Sequence, residues 1–194
     1  MYHKILRDAS FYSALLRIDL DLAAATRALG CRCGGRLHSA RYPRKPRGGP
    51  EDLGSEHERR LSFCCAEDGC RSRSTPPSVR FLGRRVYFCV VVLLLTVMCH
   101  GVTERRAAAL REELGVNRRT LERWRTWWRE AFVASAFWRT VRGRFAPELE
   151  VGALPGSLLE RFGATPPGVT ATLRFLSPLT TTWSEKGSST LRGR

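Results

Sequence analysis

The sequence predicts a mainly α chain interrupted by one small β segment that is poor in apolar residues. Three observations lead there. Apolar residues recur at helical steps over residues 9–29 and again from Ser78 onward. Between them, from Cys31 to about Pro77, that periodicity vanishes and Gly, Pro, Arg and Cys take over. Inside this core-poor stretch the cysteines fall in close pairs. The chain of 194 residues has room for one ordinary domain or two small ones.

The first expected element is a helix over 9–29. Phe11, Leu15, Ile18, Leu22, Ala25 and Leu29 recur every three or four residues and make one apolar stripe. Asp8 supplies an N-cap and Gly30 a stop.

The second is held by something other than a core. Cys31 and Cys33 are spaced C-x-C and followed by two glycines; Cys65 and Cys70 are spaced C-x4-C, with Cys64 adjacent. Two close thiolate pairs, distant in sequence, can converge on one tetrahedral Zn²⁺ at about 2.3 Å per sulfur. Glycine after a ligand lets backbone amides turn toward the sulfurs. The metal would then supply the folding free energy that this region lacks. Cys64, His38 and His57 remain alternative ligands, and reduced cysteines in plain loops are the competing reading. Cys89 and Cys99 fall in an apolar segment and read as core. Between the pairs runs RYPRKPRGG, where Arg41, Arg44, Lys45 and Arg47 alternate with prolines. Such a segment is extended and positive, either a phosphate-contacting arm or a solvated loop.

The third element begins at Val86. The apolar run Val86 to Cys99 covers 14 residues, short of the roughly 20 that span a bilayer, so a buried helix over Val86–His100 is expected, with some strand character from its β-branched residues. Thr103 caps a helix to Glu113, Gly115 suits the left-handed residue that ends it, and Asn117 caps another reaching about Phe132. At 100° per residue Leu121, Trp124 and Trp128 share one face of that last helix. Arg119, Glu122, Arg123 and Thr126 lie opposite, with Trp127 to one side. Ala107, Leu110, Leu114 and Val116 supply inward positions. The result is a three-helix unit with a helix-turn-helix, whose last helix offers Arg118, Arg119, Glu122 and Arg123 at its N-terminal end. A helical hairpin with solvated arginines is the plainer alternative. Short helices follow at Ala136–Phe145 and Leu158–Phe162. The expected division is thus an N-terminal helix at 1–30, a ribbon-like domain at 31–77, the helix-turn-helix at 78–132, a helical appendage at 133–178 and a disordered tail at 179–194.

Charge narrows the function. The formal net charge is +15, and self-repulsion of that size commonly serves an anionic partner. Only Lys4, Lys45 and Lys186 are lysine; the remaining basic residues are arginine. A GC-rich coding sequence accounts for that bias without function, yet arginine's planar fork suits phosphate and guanine. The N-terminus carries Asp8, Arg17, Asp19 and Asp21 where an export signal needs an apolar run. A cytoplasmic, nucleoid-associated location is expected, in which clustered thiols favour metal over disulfides. Enzyme chemistry finds little footing. There is no H-E-x-x-H, neither thiol pair has an α/β redox setting, and no aspartate follows Asp68.

The segments CGGRLHSARYPRKPRGG, RLSFCCAEDGCRSRSTPPSVRFLGRRVY and RRTLERWRTWWRE together resemble a family of small bacterial proteins similar to the zinc-ribbon and helix-turn-helix parts of insertion-sequence transposases. The likeness covers roughly residues 30–132. It implies a structural zinc held by Cys31, Cys33, Cys65 and Cys70, and a DNA-reading helix over 118–129. The C-x-C pair departs from the C-x2-C usual in such ribbons, which leaves the ligand set open. Strand transfer needs carboxylates holding two metal ions, which this chain lacks. The expectation is therefore a non-catalytic DNA-binding protein of a mobile element, with double-stranded DNA and a separate transposase or integrase as partners and no membrane. The rival classes are a zinc-stabilised protein-interaction adaptor or transcriptional regulator, and an RNA-binding protein.

Overall fold

The computed structural model describes residues 2–44, 46–82, 86–99, 108, 112, 115, 116 and 118–181. It is mainly helical, with a small antiparallel sheet and a cysteine cluster. A short helix α1 (Tyr2–Leu6) leads into α2 (Ala9–Ala28), whose N-terminus is capped by Asp8 accepting from the Ser10 amide. Gly30 takes φ +69° just beyond its end. The buried face of α2 is Phe11, Tyr12, Leu15, Ile18, Asp19 and Ala23. It differs from the expected stripe at the C-terminal end, where Ala25 is exposed and Leu29 is bare; Ala23 packs into the small core of the ribbon.

The centre of the body is α3 (Phe88–Cys99), in which Phe88 to Leu95 are buried all round. A helix apolar on every side is a core helix. Its β-branched residues do not make it a strand, since it has neighbours to pack on every flank: α1, then α4 (Arg118–Trp127), α6 (Gly156–Phe162) and α7 (Pro166–Leu176). No helix among the described residues is long and apolar enough to cross a membrane. After α4 the helix widens into a π turn at Trp128–Phe132 before α5 (Ala136–Val141), which starts on Ser135 as N-cap.

Two helices exceed the expectation. α1 lacks any long periodic run, and α7 follows a Thr-Pro-Pro-Gly sequence that reads as a breaker. Thr165 in fact caps α7, with proline in its first turn. Residues after Phe132 share the core of α3: Trp138, Leu158, Val169, Leu173 and Leu176 are buried with it. Leu179 and Thr180, placed in the expected disordered tail, are instead buried, and the Thr180 hydroxyl accepts from the Ser78 amide; the expected tail from residue 182 onward lies outside the described residues. The helix expected at Thr103–Glu113 lies almost wholly outside the described residues, of which Ala108 and Glu112 are helical. Ala107, Leu110, Leu114, Asn117 and Lys45 fall outside them too.

Residues 31–77 form two small antiparallel sheets. β1 (Leu37–Ser39), β4 (Phe63–Cys65) and β5 (Arg73–Ser74) lie in the order β1-β4-β5, while β2 (Tyr42–Pro43) pairs with β3 (Arg59–Arg60). Their own core is small: Cys31, Leu37, Leu61, Phe63 and Cys65, with Ala23 of α2.

A buried ionic network joins this unit to the helical body. Asp19 of α2 pairs with the Arg80 Nε at 2.8 Å and accepts from the Ser78 hydroxyl and Val79 amide. The remaining nitrogens of Arg80 donate to the carbonyls of Glu56, His57 and Arg59. Every polar edge of this fully buried guanidinium therefore has a partner, which makes its burial tolerable.

Candidate metal centre and nucleic-acid interface

The four cysteines arrive from two turns. Cys31 and Cys33 follow α2, where Gly34 at φ +82° reverses the chain and the Gly34 amide donates to the Cys31 carbonyl. Cys65 ends β4, and the turn Glu67–Arg71 returns the chain through Cys70 toward β5. Register between β1 and β4 sets Leu37 opposite Cys65, so the two turns meet at the same end of the sheet.

All four sulfurs lie within 4.8 Å of one another. Cys31 Sγ stands 3.7 Å from Cys70 Sγ, and Cys33 Sγ 3.5 Å from Cys65 Sγ. A disulfide would need about 2.05 Å. A tetrahedron with bonds of about 2.3 Å to a central ion has sulfur–sulfur edges of about 3.8 Å. The spacing thus fits four thiolates around one ion, and this cluster can hold a metal.

The surroundings pull the thiols in opposite directions. The amides of Gly35, Glu67 and Ser72 hydrogen-bond to the sulfurs of Cys33, Cys65 and Cys70, each two residues after its cysteine. Hydrogen bonds from the Ser72 hydroxyl and amide, with the neighbouring Cys33 and Cys31, draw Cys70 down to about 6. For Cys65 the Glu67 amide pulls downward, but burial and the thiols of Cys33, Cys31 and Cys70 outweigh it and push it up to about 12. Cys33 is pulled down by the Gly35 amide and Cys65, yet Cys70, Cys31 and burial leave it raised. Like charges this close cannot all ionise unless a cation neutralises them. Gly35 is part of the same design: a Cβ there would stand 2.8 Å from Cys65 Sγ and 2.5 Å from Glu67 Cγ.

The alternative ligands are elsewhere. Cys64 alternates to the opposite face of β4, where its thiol meets the Arg71 carbonyl. His38 pairs with Cys64 in the ladder and is exposed. His57 is buried with Nδ1 3.3 Å from the Gly54 carbonyl. Cys89 is a core residue of α3, its thiol 3.7 Å from the Tyr12 hydroxyl and pushed up to about 12 by burial.

The second candidate surface is α4. Leu121 and Trp128 are buried, and Trp124 and Trp127 are partly buried against the same core. Trp127 meets Trp128 edge-on at 5.1 Å, and Trp128 tilts on Phe132 at 4.6 Å. Arg119, Glu122, Arg123 and Thr126 are exposed. Arg118 opens the helix. Before it, Gly115 takes φ +60° and Val116 is buried in the core.

The basic segment between the cysteine pairs is extended, with Tyr42–Pro43 forming β2. Arg41 is exposed; Arg44 is half-buried on the Tyr42 ring. Arg47 donates to the Gly115 carbonyl at 3.2 Å, tying this segment to the turn before α4. Sequence reasoning overlooked Ser72, two residues after Cys70 as Gly35 is after Cys33; that repeated offset was the available signal. Arg60, Arg73 and Arg80 were also overlooked, and no spacing rule marks them. No family model, curated protein or solved structure matches the chain.

Proposed function

We propose that this protein is a non-enzymatic, zinc-stabilised DNA-binding protein in which α4 reads the major groove. The observation that carries the reading is the two-sidedness of α4 and the π turn that continues it: Leu121 and Trp128 turn into the core while Arg119, Arg123, Glu122 and Thr126 are presented outward. A left-handed Gly115 and a buried Val116 just before it suit the tight turn of a helix-turn-helix. Arginine can take guanine O6 and N7 bidentately, and glutamate can accept from cytosine N4. The net charge of +15 supplies the long-range attraction.

Zinc is the ion best suited to four thiolates in a tetrahedron. Cys31, Cys33, Cys65 and Cys70 saturate such an ion and leave no position for substrate, so its role is structural. The lack of aspartate after Asp68 supports a chain that binds DNA without cutting it. The likeness to insertion-sequence transposases extends the proposal to the ends of a mobile element, bound on behalf of a separate recombinase or as its repressor.

Mass spectrometry under native conditions should find one zinc per chain. Selection from random pools should enrich duplex DNA with a shared sequence, and chelation should weaken binding without erasing the base preference read by α4. Replacing Arg119 and Arg123 together should flatten base preference at a cost of about 1–3 kcal/mol for each base-reading contact. Enrichment of single-stranded RNA instead, or retention of no nucleic acid, overturns the reading and leaves RNA recognition or a protein adaptor respectively.

A further inference from the structure

We propose that Tyr42 and three arginines around it, Arg44, Arg60 and Arg73, form a phosphate seat on the ribbon that takes a backbone phosphate of bound DNA; the identity of the phosphate's owner rests on the DNA-binding reading above. The cluster is assembled from both small sheets. The β2–β3 register sets Tyr42 opposite Arg60. Arg44, just past β2, lays its guanidinium 4.7 Å from the Tyr42 ring centre and donates to the Tyr42 hydroxyl at 2.9 Å. Arg73 comes from β5, its guanidinium 6.0 Å from the same ring centre. The aromatic face holds the cations in place.

Charge balance is what points to a ligand. Among the described residues no carboxylate lies within ion-pair distance of Arg44, Arg60 or Arg73. Asp19 is the nearby carboxylate, and Arg80 already occupies it. Arg60 is only 2% exposed; one terminal nitrogen donates to the Pro76 carbonyl and the other has no partner among the described residues. The Nε of Arg44 is likewise buried without a partner. Burial above all, then the charges of Arg44 and Arg80 against those of Asp19 and Tyr42, brings Arg60 down to about 10. An unmatched buried cation is costly to a fold, and here two unmatched donors lie in a cluster whose third member, Arg73, is exposed. An anion accepting from several planar forks at once would relieve all three, and phosphate has the oxygens to do so. Arg47 takes no part, being engaged at Gly115.

The test uses the full metal-loaded chain, with inorganic phosphate and a random-sequence duplex as separate probes. Phosphate should shift the Nε–H resonances of Arg44 and Arg60 in the native protein. In the Arg44→Gln/Arg73→Gln double variant, whose zinc content reports that the ribbon is intact, the remaining Arg60 resonance should not move. The log–log salt dependence of duplex binding should become shallower by roughly one to two units in that variant, at about 0.9 per phosphate lost, with base preference unchanged. Phosphate binding without duplex binding would keep the seat and remove the DNA reading. Resonances indifferent to phosphate, with an unaltered salt slope in the double variant, would overturn the seat itself.

Discussion

The ribbon and the helical body show two ways of holding a chain together. In the body, one apolar cluster draws together residues from Ile5 to Leu179, centred on α3 and including Trp128, Phe132 and Trp138. In the ribbon, a handful of side chains supply the apolar core, and four sulfurs and their amide donors occupy the position that side-chain packing would fill. The body gains its stability from area removed from water. The ribbon has so small a core that it could not by itself offset the ordering of its residues; on the metal reading proposed above, an ion held by the four cysteines would supply the difference. On that reading stability and charge need not reside in the same place: an arginine-rich surface would be tolerated because the centre is bonded rather than packed.

That contrast can be broken in graded steps. The largest effect is expected from chelation or Cys65→Ser. Structural zinc in small sites contributes on the order of 10 kcal/mol, so the ribbon should lose its strands. The four described tryptophans, Trp124, Trp127, Trp128 and Trp138, all pack in the body, so in a Trp183→Phe background tryptophan emission reports the body and should stay blue-shifted. A red shift on chelation would mean that the two regions fold as one. Arg80→Ala comes next. It strands Asp19 and uncovers the carbonyls of Glu56, His57 and Arg59, with an expected loss of about 3–5 kcal/mol. Urea unfolding followed by both tryptophan emission and metal release checks it, and a loss confined to one probe would contradict its bridging position. The smallest effect belongs to Cys64→Ser. Facing away from the cluster, it should leave one zinc per chain by native mass spectrometry and shift the unfolding midpoint hardly at all. A halved zinc content would place Cys64 among the ligands.

What could be read from the sequence follows the same divide. Asp8 and Gly30 mark the ends of α2 correctly because caps act locally. The four thiols were legible because metal geometry needs close pairs, and the tetrahedral spacing brings together the cysteines that spacing singled out. α7 was not legible, since Thr165-Pro166-Pro167-Gly168 carries helix-start and breaker chemistry in the same residues. Asp19 counted in the sequence only as a charge against an export signal; its partner Arg80 is 61 residues away, and no local pattern links them. The arginine cluster at Tyr42 escaped notice for the same reason, being built from strands of two sheets.

Arg80 has one more consequence. It belongs by sequence to the segment leading into α3, yet it completes backbone groups of the ribbon. A fragment cut after residue 77 and grafted onto another scaffold would keep all four clustered thiols and still leave those carbonyls without their donor. The ribbon is consequently no interchangeable cassette: recombination at that apparent seam would have to carry Ser78 to Arg80 along with it, or supply a new cation from the host.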